Sequence, residues 1–445
     1  MGYRIKRLQD FGRAMRESKV MLARERWPRE RLEAFQREQL AELVRNAADQ
    51  SPFWRERLPR GAVRLSELPV LTKDELMGSF DDLVTDRRLR LADLLEHLEQ
   101  IDADALYLDE YRAMASSGSS GRKAVFVYDR AAWVCCAAMF LRRSAWLGIR
   151  PRMPRMRLAM VWGASPTHMS RRGAASLDIG VHRLCPLGVT QPLPDLVDRL
   201  NRFRPQHLNA YPSIAAQLAD EQLAGRLRLQ LDGITTNSEP LTPALRDRLE
   251  QAFGVRPYNF YATTEGLYGH DCPNGAMHLF DDMCIVENVD ADGDPVPPGE
   301  IGGRLLVTNL FNRTQPLIRF EVSDLIAIDP EPCHCGRSLL RVRSLEGRAE
   351  DVIRLGGVTV HPLEFALVTA DPDVREFQVV QEGAVLRLRV ALRDGTDGAP
   401  ERLRARLGAR LEELGVQRPA VEVETVKTLE RSAGGKLQMV VAGRT

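Results

Sequence analysis

Lysine is scarce in this chain. Of 62 basic residues only six are lysines: Lys6, Lys19, Lys73, Lys123, Lys427 and Lys436. A lysine inside a motif is therefore a feature to weigh. Charge of one sign is missing as well. The net charge is +1 over 445 residues, 28% of them charged, so no global field calls for nucleic acid or a membrane surface. The longest apolar run, Ala131 to Leu141, is eleven residues, about half of what a bilayer requires. Met1 to Lys19 is charged throughout and has no apolar core, so no signal peptide is expected. Seven cysteines without a leader predict a reducing, cytoplasmic setting and no disulfide framework. Three motifs are absent: G-x-x-x-x-G-K-[ST], G-x-G-x-x-G and G-x-S-x-G. Their absence excludes a Walker loop, a dinucleotide fingerprint and a hydrolase elbow.

What is present predicts a large α/β protein. Apolar residues make up 44%, enough for a sizeable core. Residues 1 to about 58 carry helical spacing, with Leu40, Leu43, Val44 and Ala47 on one face. Between residues 100 and 330, strand-like runs at Arg157–Val161, His207–Ala210, Gly233–Thr236 and Arg256–Tyr261 alternate with helical stretches. That alternation predicts mostly parallel sheets. Arg304–Thr308, Leu317–Phe320 and Leu325–Ile328 read as short strands of a β-rich subdomain, and Pro362 as the start of a helix. The expected organisation is a large domain over 1–346 and a small, mobile α+β domain over 347–445.

Five segments carry chemistry. Ser116, Ser117, Gly118, Ser119, Ser120 and Gly121, followed by Arg122 and Lys123, are hydroxyls and bare backbone amides, the makings of a phosphate cradle. Tyr261-Ala262-Thr263-Thr264-Glu265-Gly266 closes a strand where ligands of open α/β sheets bind. Its tyrosine suits a planar base, its threonine a phosphate and its glutamate magnesium. Ser323-Asp324-Leu325 offers an acid for two ribose hydroxyls. Gly347-Arg348 begins a polar stretch that reads as a hinge, and Gly434-Gly435-Lys436 places an ammonium on a loop of glycines.

In this order the five segments resemble the adenylate-forming superfamily of acyl- and aryl-CoA ligases over nearly the whole chain. The turn Ser238-Glu239-Pro240 is similar to its adenine-contacting turn, and Leu68 to Asp74 to the signature of the phenylacetate-CoA ligase branch. The resemblance implies that a carboxylic acid attacks ATP to give an acyl-AMP, which then passes to a thiol. By position, Ser116 to Gly121 would cradle the outer phosphates. Thr264 would hold the α-phosphate, Glu265 magnesium, Tyr261 the adenine and Asp324 the ribose, with Arg348 assisting. Lys436 would bridge the carboxylate and the α-phosphate, and Asp351 would be the hinge, with Glu350 its rival. Two departures stand out: Ser323 where glycine is frequent, and Arg122-Lys123 after the cradle.

Trp162, Tyr211, Asn237 and Ala262 are the expected acyl-pocket residues, with Trp162 and Tyr211 suited to sandwich an aromatic ring. His168 is a candidate polar wall. Cys272, His278, Cys333 and Cys335 could complete a tetrahedral, structural zinc site, with His270 and His334 as rival ligands. Cys135, Cys136, Cys185 and Cys284 are expected in the core. The acceptor is expected to be CoA or a free-standing carrier protein. A non-thiol acceptor such as an amine, nitrite or a deazaflavin, or a non-catalytic ATP-binding role, is the alternative. A homodimer is a candidate assembly.

Overall fold

The computed structural model describes residues 3–59, 64–101, 104–116, 123–150, 152–163, 165–393, 398–432 and 435–443. Its centre is a nine-stranded sheet. Five neighbouring strands run parallel: Pro257–Ala262, Gly233–Asn237, His207–Ala210, Arg157–Trp162 and Arg183–Gly188. The other four, Leu267–Asp271, Met277–Leu279, Arg341–Arg348 and Asp324–Asp329, join antiparallel beside Pro257–Ala262. Helices connect the parallel strands as crossovers, so the carboxyl ends of these strands face one way.

The N-terminal helices Tyr3–Arg24 and Arg29–Gln50 pack on this body through Ala14, Met21, Leu32, Leu40 and Leu43. The helix Arg130–Trp146 starts where Asp129 accepts from the Ala132 amide at 2.7 Å and so caps its free amides. Between these helices lies a buried ionic knot. Arg142 meets Glu25 at 2.5 Å and Asp282 at 2.7 Å, and Asp282 also meets Arg24 at 3.4 Å. The expected core cysteines Cys136, Cys185 and Cys284 are buried and Cys135 is half-buried. All seven cysteines are free. Among the described residues no helix is long and apolar enough to cross a membrane.

The β-rich region differs from expectation in two ways. Leu317–Phe320 is not a strand; the strand is Phe320–Val322. Leu317 and Ile318 are buried by tertiary packing, and Arg319, at φ +46°, turns the chain before pairing begins. The strand at 325–328 runs Asp324–Asp329 and enters the large sheet opposite Arg341–Arg348 rather than a separate subdomain. A three-stranded antiparallel sheet of Cys284–Val289, Arg304–Asn309 and Phe320–Val322 remains beside it.

Residues from 353 onward build a separate core, with Phe365, Val379, Leu388, Leu403, Leu407 and Leu411 at its centre. The helix Ala399–Glu413 lies over a sheet ordered Ala420–Thr425, Val385–Leu392, Val374–Glu382, Val440–Val441. The helix expected from Pro362 runs Pro362–Ala370 and is a 3₁₀ helix. Pro362, Phe365 and Val368 are its buried residues, and a spacing of three aligns only on a 3₁₀ turn.

Candidate active site

Four of the five segments singled out in the sequence, at Tyr261–Gly266, Asp324, Arg348 and Lys436, meet at the carboxyl ends of the parallel strands. The strand Pro257–Ala262 turns at Thr263–Gly266 and returns as Leu267–Asp271, with Ala262 opposite Leu267. The turn closes where the Thr263 amide donates to the Gly266 carbonyl at 2.9 Å. It is held from outside by the Tyr128 hydroxyl, which donates to the Thr264 carbonyl at 2.9 Å. Glycine is required at 266, because a Cβ there would stand 2.7 Å from the Tyr268 ring. Burial pushes the Glu265 carboxyl up, and the charge of Asp324 adds to this while Arg348 opposes it.

Asp324 opens its strand directly opposite Arg348. The Tyr261 hydroxyl donates to Asp324 Oδ2 at 2.8 Å. Burial raises the Asp324 carboxyl, against the pull of Arg348 and the Tyr261 bond. The segment Leu68 to Asp74 lies against the strand that feeds this acid. Leu71 donates to the Arg319 carbonyl at 3.1 Å and accepts from the Glu321 amide at 2.9 Å. Thr72 and Glu75 then form a capping box that starts the next helix.

Ser116 sits at the base of the Ser/Gly loop, where its hydroxyl accepts from the Ala124 amide at 2.9 Å. Ser117, Gly118, Ser119, Ser120 and Gly121 lie outside the described residues.

Lys436 reaches the same place from the part of the chain that builds the separate core beyond residue 353. It lines the cavity together with Asn237, Ser238, Thr264 and His168. Burial lowers its ammonium pKa and Arg348 lowers it further, while Glu239, Asp324 and Glu265 act the other way. His168 is pushed down to about 4 by burial, then by Lys436 and Lys123, and is a neutral wall at pH 7. Close approach fixes the lysine loop. Gly435 has φ +77°, and a Cβ there would fall 2.0 Å from a methyl of Val189.

Glu239 ties the two parts of the chain together. One carboxylate oxygen accepts from the Ser213 amide at 2.9 Å, the other from the Leu437 amide at 2.9 Å. Arg431 donates to the Ser213 hydroxyl at 2.8 Å and pairs with Glu376, which accepts from Gln217 at 2.7 Å. At the expected hinge, Gly347 has φ +106°, with no room for a Cβ against Pro362. Asp351 accepts from Gln438 Nε2 at 2.9 Å, and burial pushes its carboxyl up to about 6.

A cavity of about 590 Å³ runs from Lys436 and Thr264 along one face of the parallel sheet. Trp162, Tyr211, Asn237 and Ala262 all line it. The Tyr211 hydroxyl accepts from the Gly163 amide at 3.1 Å, and Asn237 Nδ2 donates to Asn209 Oδ1 at 2.8 Å. Asn209, His207 and Arg143 also line the cavity and were missed in the sequence. Alternation along His207–Ala210 was the available signal for the first two, because Asn209 and His207 fall on one face of that strand.

The thiolates and imidazole form a second cluster. The ligand atoms of Cys272, His278, Cys333 and Cys335 lie within 4.8 Å of one another. Cys335 Sγ stands 3.3 Å from His278 Nε2. His278 Nδ1 is 3.1 Å from the Leu339 carbonyl, a contact that fixes the ring with Nε2 turned to the sulfurs. His270 instead turns Nδ1 to the Asp271 carbonyl at 2.6 Å and is not in the group. The five-residue strand Leu267–Asp271 separates Cys272 from Gly266, six residue steps or about 20 Å, so this cluster is remote from the Thr263–Gly266 turn.

No family model matches the chain. The phenylacetate-coenzyme A ligase of Thermus thermophilus is 29% identical over 374 residues, 79% of each chain. The solved 2-hydroxyisobutyryl-CoA ligase, in its postadenylation state with an acyl-AMP, superposes with a TM-score of 0.75 at 23% identity, covering 95% of this chain and 91% of that one. The same ligase in its thioesterification state gives 0.60 at 22% identity, covering 94% and 91%. The fold is that of the adenylate-forming ligases.

Proposed function

We propose that the chain is an AMP-forming ligase that activates a carboxylic acid, preferably aromatic, and passes it to the thiol of CoA or of a carrier protein. The observation that carries this reading is the convergence of Lys436, from the small domain, with Glu265, Asp324 and Thr264 at the mouth of an acyl-sized cavity. The relative that acts on phenylacetate and CoA supports it.

The chemistry follows from the placement. A carboxylate oxygen of the acid attacks the α-phosphorus of ATP, the bond to the β-phosphate breaks, and pyrophosphate leaves. Lys436 draws the carboxylate and the α-phosphate together and neutralises charge that grows between them. Thr264 orients the α-phosphate, Asp324 holds the ribose with Arg348 beside it, and the turn at Ser238 to Pro240 flanks the base along with Tyr261. Two half-buried carboxylates, Glu265 and Asp324, each raised by loss of water around them, fit a divalent cation, and Glu265 would hold it. Bound magnesium supplies neutralisation of the phosphate oxygens. In the second half-reaction the unit from residue 347 onward rotates about Asp351, Lys436 withdraws, and a thiol sulfur attacks the acyl carbon. AMP leaves and the thiol proton passes to solvent.

Cys272, His278, Cys333 and Cys335 would hold a zinc ion with no open position. It supplies folding stability and takes no part in the chemistry.

ATP–pyrophosphate exchange over a panel of aryl, aliphatic and amino acids, without CoA, tests the reading. Exchange driven by one acid class supports it, and adding CoA then identifies the acceptor. Absence of exchange with every acid, in protein that still binds ATP, refutes it.

A further inference from the structure

Buried arginines in this fold have carboxylate partners. Arg24, Arg112, Arg142, Arg172 and Arg319 are buried, and each meets a carboxylate within 3.5 Å. Arg143, half-buried, differs. Next to Arg142 on the same helix, it lines the acyl cavity and has no carboxylate partner among the described residues. Its Nε is sealed from solvent without a hydrogen-bond partner. Its guanidinium carbon lies 4.9 Å from the centroid of the Phe260 ring, a weak counterpart for a desolvated cation. Burial alone lowers its pKa to about 10, the response of a cation that has lost water and gained no anion.

Its depth can be read from the sheet. Side chains alternate along a strand, so Trp162 and Leu158, Asn209 and His207, and Ala262 and Phe260 share the face that bears the cavity. Ala262 is at the carboxyl end, beside Thr264. Phe260, with Arg143 over it, is one pleat deeper, about 7 Å, and level with Asn237. Asn209 pairs with Thr235 and so is one pleat deeper again, and His207, opposite Gly233, is deeper still. His207 is no counter-ion: burial, then Arg143, push it down to about 3, and its Nε2 meets Thr235 Oγ1 at 2.9 Å. The carboxylate that lines the cavity, Asp178, stands against the cations Lys19, Arg143, Arg150 and Lys436.

We propose that Arg143 sets the specificity of the acyl cavity by pairing with a second anionic group, so that the preferred substrate is a diacid whose far carboxylate lies one pleat below the reacting one. This rests on the acid-activating reading above and extends it. A monoacid would leave the cation buried and unpaired, and sites with unpaired polar groups discriminate strongly against such ligands.

Matched acids test the proposal: phenylacetate against 4-carboxyphenylacetate, and hexanoate against adipate. Each is measured by ATP–pyrophosphate exchange and by calorimetric binding without ATP, for the wild type, Arg143→Met and Arg143→Lys. The wild type should favour the diacid at least about 10-fold. Arg143→Met should reverse the preference, and Arg143→Lys should retain part of it. In the absence of ligand, Arg143→Met should melt higher than the wild type, because an unpaired buried cation is removed; an arginine kept for structure would give a lower melting temperature. Equal turnover and equal binding of the members of each pair by the wild type would overturn the inference while leaving acid activation standing. So would an unchanged ratio in Arg143→Met. Diacid binding that depends on Arg143, with no exchange for any acid, would sustain it and overturn acid activation instead.

Discussion

Two side chains separate the binding and chemical tasks of the site. Lys436 lines the cavity beside Thr264 and Asn237, on a backbone held by Ser432, whose hydroxyl accepts from the Lys436 amide at 3.1 Å. Lys436→Ala should slow adenylation on the order of 10²-fold or more, yet leave thioester formation from a supplied acyl-AMP near the wild-type rate. Equal loss in both half-reactions would show that the lysine serves the fold. Tyr128 is different in kind, since its hydroxyl touches only the backbone of the Thr264 turn. Tyr128→Phe removes that one buried bond and leaves the Thr264 carbonyl bare. Chemical denaturation should report a loss of about 1–3 kcal/mol, with a fall in kcat larger than any change in the KM for the acid.

At the scale of elements, the hairpin Pro257–Ala262 and Leu267–Asp271 carries the Thr263–Gly266 turn at one end and Cys272 at the other. If the four ligands hold zinc, elemental analysis should find one ion per chain. Cys333→Ser should lose it and destabilise the protein by several kcal/mol, while kcat below the melting temperature changes little. These elements were largely legible beforehand. The parallel strands are apolar runs bounded by turns, and the YATTEG turn and the C-x-C pair are local patterns. Pairing decided the rest. Leu325–Ile328 looks the same in sequence whether it joins a subdomain or the large sheet, and only its register with Arg341–Arg348 settles which. Leu317 and Ile318 have strand composition, but the backbone at Arg319 forbids the strand. The sequence likewise cannot distinguish Arg142 from Arg143, because their partners lie more than a hundred positions away.

At the scale of the whole molecule, the unit built from residue 353 onward meets the rest of the chain through Leu437 on Glu239 and Arg431 on Ser213. Asp351 is pushed up to about 6, mainly by burial, with Glu350 and Asp324 adding and Gln438 and Arg348 opposing. An exposed aspartate titrates near 4, so the folded chain binds this proton more tightly than the unfolded one. Its contribution to stability is full below about pH 4 and is lost as the pH rises through about 6. Chemical denaturation should show the wild type losing stability relative to Asp351→Asn over that range. Glu239 makes the contact between the two parts of the chain. Glu239→Gln keeps its shape but puts an amide where one of two backbone donors must be accepted, so it should favour an open arrangement and slow adenylation more than thioester formation.

The adjacency of Arg142 and Arg143 has a consequence for how such a protein diversifies. One residue of helix turns a side chain by about 100°, so one arginine is committed to the ionic knot with Glu25 and Asp282 and its neighbour to the cavity. Position 143 can therefore drift through many side chains, and with it the range of acids accepted, while the scaffold that supports every such variant is inherited untouched.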